Sequence, residues 1–490
     1  MLVKKDKELI EQYTIDASNY IGDAQIVLIP ESYLELSNIL KQMSDSKTPV
    51  TFSGAGTGLT GGRVANGGVV ISAEKFDRIL DINESNSTIT VQPYISVGDL
   101  AKELESRGYL YPPNPTEKTA SIGGNISTNA SGARTYYYGP TRNFIYGLKV
   151  ILSNGETSIF TRDDQFFDGD YIEFNSIEGN RYRASKPTYK MPNTKHSAGY
   201  FSKPSMQAID LFIGAEGTLG FIAEATLKYI PKPENTAGFI VFFKDMNSVF
   251  KYVKTLQGFK NKNFGKSYEE IKNVNPRLIE FFDDDSLDLL REKYPQIPED
   301  ARAAIWTEQE INAHIEDEVL NSWLEMIVNH SELSDETWTA LTPSEHENFR
   351  EFRHTLPENV YEIIARNNQH KVGIDAAVPD EHLESLYKEI VNSVNKYALK
   401  KVIYGHIGNN HLHANVFFTN EAERENAYKF YEEIIECAIK YKGTVSAEHG
   451  IGKLKTKYLR QMFGDDAIAK MRAIKSAIDP AGILNQGNLF

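Results

Sequence analysis

The architecture of this chain turns on SGAGTGLTGGRVANGGVV, residues 53 to 70. Gly56, Gly58 and Gly61 satisfy the spacing of a dinucleotide-binding loop. That spacing serves a nucleotide fold only when a strand precedes it and a helix comes after it, so that the helix N-terminus meets the pyrophosphate. A short strand does precede it, in TPVTFS. The next residues are GRVANGGVV, with three more glycines and a β-like run, which excludes a helix. A doubly wound nucleotide fold is rejected on that ground. The loop keeps its own chemistry. Successive backbone N–H groups in a glycine-rich turn form a concave donor site for an anion such as a diphosphate. The missing side chains let the backbone approach closely. A tight surface loop is the plain alternative. Two further stretches rich in Gly, Ser and Thr, over 110–147 and at GAEGTLG (214–220), weigh against it.

Around this loop, SYLELSNILKQMSD (32–45) has the apolar spacing of a helix. GGVVIS and ITVQPYIS read as strands. VGDLAKELESRG reads as a helix starting near Gly98 or Asp99 and ending at Gly108. After Pro231 and Pro233, strands such as GFIVFF alternate with charged helices such as SLDLLREKY and DEVLNSWLEMIVNH. The expected class is α+β, with a first domain over residues 1–232, a second α+β domain over 233–440, and a C-terminal segment over 441–490 that packs back on the first.

Composition removes several function classes. With 490 residues and 41% hydrophobic content the chain is an ordinary large globular protein. A formal charge of −14 argues against nucleic acid, where affinity rests on basic contacts to phosphate, and against a basic membrane-docking surface. The lone cysteine, Cys437, rules out an internal disulfide or a cysteine-ligated iron–sulfur cluster. The N-terminus lacks the apolar core of a secretory signal, and no apolar run reaches the ~18 residues of a membrane span. The expectation is a cytoplasmic protein that reaches the inner membrane, if at all, through a partner.

Seven segments, in order and over nearly the whole chain, resemble one family: SGAGTGLTGG (53–62), PPNPTEKTASIGGNISTNASG (112–132), YGPTRNFIYGLKVILSNGE (138–156), GAEGTLGFIAEATL (214–227), GHIGNNHLHAN (405–415), SAEHGIGKLK (446–455) and DPAGILNQGNLF (479–490). The chain resembles the FAD-linked oxidases of the vanillyl-alcohol oxidase/p-cresol methylhydroxylase superfamily. The branch is that of D-lactate dehydrogenase, the glycolate oxidase FAD subunit and D-2-hydroxyglutarate dehydrogenase. The resemblance implies an FAD-binding domain of two α/β subdomains and a cap domain over the flavin ring. It implies that Ser53, Gly54, Ala55, Gly56, Thr57, Gly58, Leu59 and Thr60 hold the FAD diphosphate. The rest of the cofactor falls to Pro115, Thr116, Thr119, Ser121, Gly124, Asn125, Ser127, Thr128, Asn129 and Ala130, to Glu216, Gly217, Gly220 and Ile222, and to Asn485. Some relatives attach FAD covalently through a histidine of the first loop. None of residues 51 to 64 is histidine, so dissociable FAD is expected.

GHIGNNHLHAN places His406, His411 and His413 close together. If HLHAN enters a strand, His411 and His413 share a face. Such a cluster is more often polar packing than a metal site. Its weight rises with a carboxylate, and SAEHGIG offers Glu448 with His449 directly after it. The resemblance implies that His406, His413 and Glu448 bind a divalent ion, with His449 as the base and Asn415 in contact with substrate. Two imidazoles and one carboxylate leave a position open, and suit Zn²⁺, Mn²⁺ or Fe²⁺. Relatives usually read GDGN where this chain reads Gly408, Asn409, Asn410 and His411. That removes one charge and adds a histidine that could rival its neighbours as a ligand.

The implied reaction is oxidation of a D-2-hydroxy acid to the 2-oxo acid. His449 takes the hydroxyl proton while hydride passes from Cα to flavin N5. Arg353, on a helix expected to end before Pro357, would grip the carboxylate. Relatives acting on hydroxyglutarate use a threonine one turn later and a lysine further on. Here that turn brings Pro357, and Lys371 is off the matching offset, which favours a smaller acid such as D-lactate or glycolate. Electrons must then leave to a quinone, a cytochrome, an electron-transfer flavoprotein, a partner iron–sulfur subunit or O₂. Two other readings stand beside this one. One is a flavin transferase like alkyl-dihydroxyacetonephosphate synthase, whose usual run of histidines is replaced here by AEHG. The other is an FAD subunit without substrate chemistry of its own.

Overall fold

The computed structural model describes residues 1–260 and 272–490. Among them, three sheets have four or more strands. In the first, Ile26–Ile29, Val69–Ser72 and Val50–Ser53 run parallel, with Leu2–Lys4 antiparallel at one edge. The second is antiparallel, in the order Ile79–Asn83, Thr88–Val91, Phe221–Lys228, Ile145–Ile151, Thr157–Thr161. The third is antiparallel and seven-stranded, in the order Trp338–Ala340, Asn235–Phe243, Ala303–Ile311, Leu278–Asp283, Lys400–Gly405, His413–Phe418, His370–Gly373. This is the α+β class read from the sequence.

No helix separates Ser53 from Val69; the element after the glycine loop is the parallel strand Val69–Ser72. The first sheet is covered by helix Tyr33–Ser46. Ser32 Oγ caps it by accepting from Glu35 N at 3.3 Å. Its buried Leu36, Ile39 and Leu40 pack with Leu28, Val50, Val69 and Ile71. Each such side chain contributes about 1.5–3 kcal/mol. A truncation such as Leu40→Ala would cost about 2–5 kcal/mol. Helix Val97–Ser106 starts slightly earlier than expected, because Ser96 Oγ takes the N–H of Asp99 at 2.9 Å.

One expectation fails here. The helix bearing Arg353 does not end before Pro357 but runs over Pro343–Arg366, opened by a capping box between Thr342 and Glu345. Pro357 removes the bond to the Arg353 carbonyl at a cost of about 3 kcal/mol. Phe349, Phe352, Leu356 and Val360 are buried along the same helix against the seven-stranded sheet. At about 1.5–3 kcal/mol each, that burial outweighs the proline.

The C-terminal tail returns to the first sheet. Val50 N donates to Ile483 O at 2.9 Å and Asn485 N donates to Val50 O at 2.7 Å. Ile483 and Leu484 are fully buried in the same core as Val50. No helix among the described residues is long and apolar enough to cross a membrane.

Candidate functional site

A cavity of about 1090 Å³ joins the glycine loops to one end of the seven-stranded sheet. One half of its wall is Ser53 to Thr60, Pro115, Thr116, Ser121, Gly124, Asn125, Ser127, Thr128, Ala130, Glu216, Gly217, Gly220, Ile222 and Asn485. The backbone N–H groups of Ala55 to Leu59 donate to no acceptor among the described residues. That leaves a row of donors suited to a diphosphate. Gly56 has φ +85°, and a Cβ there would lie 2.4 Å from Arg63 Cζ. Arg63 holds the loop from behind, donating to the carbonyls of Gln12, Ile15 and Gly54 at 2.6 to 3.2 Å.

Glu216 also has a positive φ, 52°, and accepts from Ile451 N at 2.7 Å and Gly452 N at 2.6 Å. Burial pushes its carboxyl up to about 7 against those two donors. Asn485 ties three strands of chain together, accepting from Phe52 N at 2.9 Å and donating to Glu216 O at 3.0 Å. Two residues expected beside the cofactor do not line this cavity. Thr119 Oγ1 donates to Glu117 at 2.6 Å beside a separate small depression, and Asn129 Oδ1 accepts from Arg142 N at 3.0 Å. Their side chains are engaged in shaping the loops.

In the other half, His406 comes directly after strand Lys400–Gly405 and His413 opens the next. His411 precedes that strand rather than lying in it as expected, and makes an isolated antiparallel bridge to Ala377, yet still comes to the same place. Glu448 Oε1 stands 3.3 Å from His406 Nε2 and 3.2 Å from His413 Nε2. Its Oε2 accepts from the buried Lys195 Nζ at 2.6 Å. His406 Nδ1 meets Glu280 Oε1 at 2.5 Å, which turns Nε2 toward Glu448. One potential ligand atom from each of His406, His411, His413 and Glu448 lies within 4.8 Å of the others. This donor set fits a divalent transition metal.

Asp375 builds the Glu448–His449 corner. It accepts from the N–H groups of Glu448 and His449 at 3.2 and 3.1 Å, from Ser446 Oγ at 2.7 Å and from Lys455 Nζ at 2.6 Å. His449 lines the cavity, and its ring stacks on His413 at 5.6 Å. Burial pushes the His449 imidazole down to about 4, although Asp375 opposes that shift. It is therefore neutral near neutral pH. Burial would raise Glu280, but His406 and Arg353 override it and hold the carboxyl at about 2.

Arg353 Nε donates to Glu280 Oε2 at 3.0 Å, and its guanidinium lies 4.9 Å from the Tyr404 ring centroid on the cavity wall. Asn415 lines the same wall. Lys371 does too, with Nζ 3.2 Å from Asn415 Oδ1. The sequence offset set Lys371 aside. Strand pairing places it here, because Gly373 faces Asn415 and Lys371 faces Phe417 across the ladder.

Residues 24–161 match the family model "FAD binding domain", and residues 264–489 match "FAD linked oxidases, C-terminal domain". The chain is 30% identical over 488 residues to the glycolate oxidase subunit GlcD of Bacillus subtilis, covering 98% of this chain and 92% of that protein. This chain belongs to the FAD-linked oxidases. Like other such oxidases it is an FAD-dependent oxidoreductase, and its FAD-binding domain is of the p-cresol-methylhydroxylase type. The oxidase is also 27% identical over 500 residues to a D-lactate dehydrogenase of Anaerostipes hadrus, with 98% and 93% of the two chains covered. It is 27% identical over 501 residues to a D-2-hydroxyglutarate dehydrogenase of Stutzerimonas stutzeri, with 100% and 96% covered. Among solved structures, an alkyldihydroxyacetonephosphate synthase superposes with a TM-score of 0.69 at 16% identity, covering 99% of this chain and 81% of that one. That likeness shows the fold alone.

The structure brings His406, His413, Glu448, His449, Arg353 and Asn415 to one place. Sequence reasoning missed Glu280, Asp375, Lys195 and Arg63. Asp375 had a weak signal, as the acid in HKVGIDAAVP; a buried strand acid or a loop lysine carries none.

Proposed function

We propose that this oxidase is a dehydrogenase of D-2-hydroxy acids, oxidising a D-lactate-like acid or glycolate to the 2-oxo acid. The observation that carries the reading is that the Glu448–His449 pair and Arg353 open on the same cavity as the acceptor-free N–H groups of the first glycine loop. We read residues 1–232 as the cofactor domain, 233–440 as the cap and 441–490 as the segment that completes the site.

Arg353 keeps its Nε on Glu280 and turns its remaining donors to the substrate carboxylate. Asn415 contacts the same end of the substrate. His449, neutral because it is buried, takes the hydroxyl proton. Asp375 fixes that ring's backbone and stands 3.4 Å from Nδ1, so it stabilises the imidazolium once the proton arrives. His406, His413 and Glu448 would hold a divalent ion at the hydroxyl. The flavin, when bound without a covalent link, supplies the hydride acceptor, and the ion supplies Lewis-acid stabilisation of the deprotonated hydroxyl. Three buried carboxylates here, Glu280, Asp375 and Glu448, are matched by Arg353, Lys455 and Lys195. A divalent ion leaves the site positive, which an anionic hydroxy acid offsets. The electrons would have to leave to an acceptor outside the chain, because a lone cysteine cannot ligate an iron–sulfur relay.

A second substrate reading has its own observation. Arg353 and Lys371 both line the cavity, so a dicarboxylic hydroxy acid would find two cations. Anaerobic spectroscopy of the purified protein tests both. D-lactate, glycolate, D-2-hydroxyglutarate and D-malate are added in turn and the flavin band near ~450 nm is monitored. Bleaching by one acid, abolished by a chelator, is the expected result. A yellow protein that no acid bleaches would overturn the proposal.

A further inference from the structure

We infer that His411 is a fourth protein ligand, making the metal centre one of three imidazoles and one carboxylate. This rests on the metal reading above and adds a residue from the connection between His406 and His413. His411 is fully buried, and its Nδ1 makes no hydrogen bond. Its Nε2 lies 3.1 Å from Asp375 Oδ1, so that carboxylate can pair with one nitrogen and leaves the other free. A buried imidazole nitrogen with no partner is costly unless something else engages it. The surroundings point to what does. Its ring centre is 4.4 Å from that of His413 and 5.4 Å from that of His406. The potential ligand atoms of all three, with that of Glu448, fall within 4.8 Å of one another.

The turn is built to hold the ring inward. Asn410 sits at φ +54° and is anchored on both sides of its amide, accepting from Gln257 Nε2 at 2.8 Å and donating to Asp380 Oδ1 at 2.6 Å. Asp375 stands where a carboxylate can orient the ring once one nitrogen is engaged. The added donor changes which ion suits the site. Four protein ligands close a tetrahedral Zn²⁺ centre and leave no place for substrate. An ion that accepts five or six ligands, such as Mn²⁺ or Fe²⁺, keeps places open. The centre therefore favours that class of ion for turnover.

X-ray absorption of the Mn²⁺-loaded FAD protein counts imidazoles directly and needs no variant. Three around the ion is the expected count; two would overturn the inference while leaving the metal reading intact. Mn²⁺ titration of metal-stripped FAD protein gives the second measure. His411→Asn is expected to weaken binding at least tenfold with the flavin spectrum unchanged. Equal affinity in the variant and the parent would overturn the inference. If the parent binds no metal at all, the inference and the metal part of the proposed function fall together.

Discussion

Arg353 and His406 are held by the same buried carboxylate. Glu280 gives one oxygen to each, at 3.0 and 2.5 Å, so the residue proposed for the substrate carboxylate and one proposed for the metal cannot move independently. Glu280→Gln removes the charge both depend on. Metal affinity should fall about 10- to 100-fold, the usual cost of losing such an outer partner. Glu280→Ala should also destabilise the fold by about 3–5 kcal/mol, because Arg353 is then buried without its counter-ion. Metal titration reads the first effect and urea denaturation the second.

His449→Gln should leave FAD in place while flavin reduction slows about 10²- to 10⁴-fold, the contribution of a positioned base. Equal reduction rates in variant and parent would remove His449 from the chemistry.

The same residue sets a pH profile. Burial pushes its imidazole down to about 4, so it stays neutral above that value. Rapid-mixing measurements should find the reduction rate flat from about pH 6 to 8 and falling as the pH approaches 4, whereas an ordinary histidine would inflect near 6.5. An inflection near 6.5 counts against a buried base.

His196 predicts a stability effect with the same sign. Burial, helped by Arg142, pushes its imidazole down to about 4. The unfolded chain binds that proton near pH 6.5 and the folded chain does not. Stability from this group is therefore complete above about pH 6.5 and is lost as the pH falls toward 4. Denaturation midpoints across that range should decline, and less steeply in His196→Gln.

Lys371→Met separates the two substrate readings. If a one-carboxylate acid is the substrate, its KM should be unchanged. If a dicarboxylate is, KM should rise about tenfold or more, the loss expected when a charged partner is removed from a desolvated carboxylate.

Gly56→Ala should lower the flavin content of the purified protein. A side chain at φ +85° costs about 1–2 kcal/mol and would also displace Arg63 from behind the loop. The ratio of flavin to protein absorbance checks it.

Much of this site is legible in the sequence because its chemistry is local. Glycine at 54, 56, 58 and 61, the His406–His413 pair and the Glu448–His449 dipeptide each announce themselves within ten residues. The supporting residues do not. Glu280 meets His406 across 126 positions and Lys195 meets Glu448 across 253, and nothing in either neighbourhood singles out the residue. Lys371 and Pro357 mislead for a different reason. Offsets along the chain do not decide their positions; strand register and helix burial do. Thr119 Oγ1 and Asn129 Oδ1 are engaged within the loops, on Glu117 and on the Arg142 N–H, which residue type alone does not reveal.

The tail that lies beside Val50 has a bearing on how the molecule is made. Phe52 and Asn485 bond across 433 positions, and Asn485 also grips the loop at Glu216. During synthesis the first glycine loop emerges well before Asn485, which finishes its wall from 433 positions beyond Phe52. Contacts this distant are slow to form and leave a growing chain exposed meanwhile. A complete wall around the loop thus exists only after the segment at Asn485 has been made and has docked beside Val50, so this side of the cavity is finished late in folding.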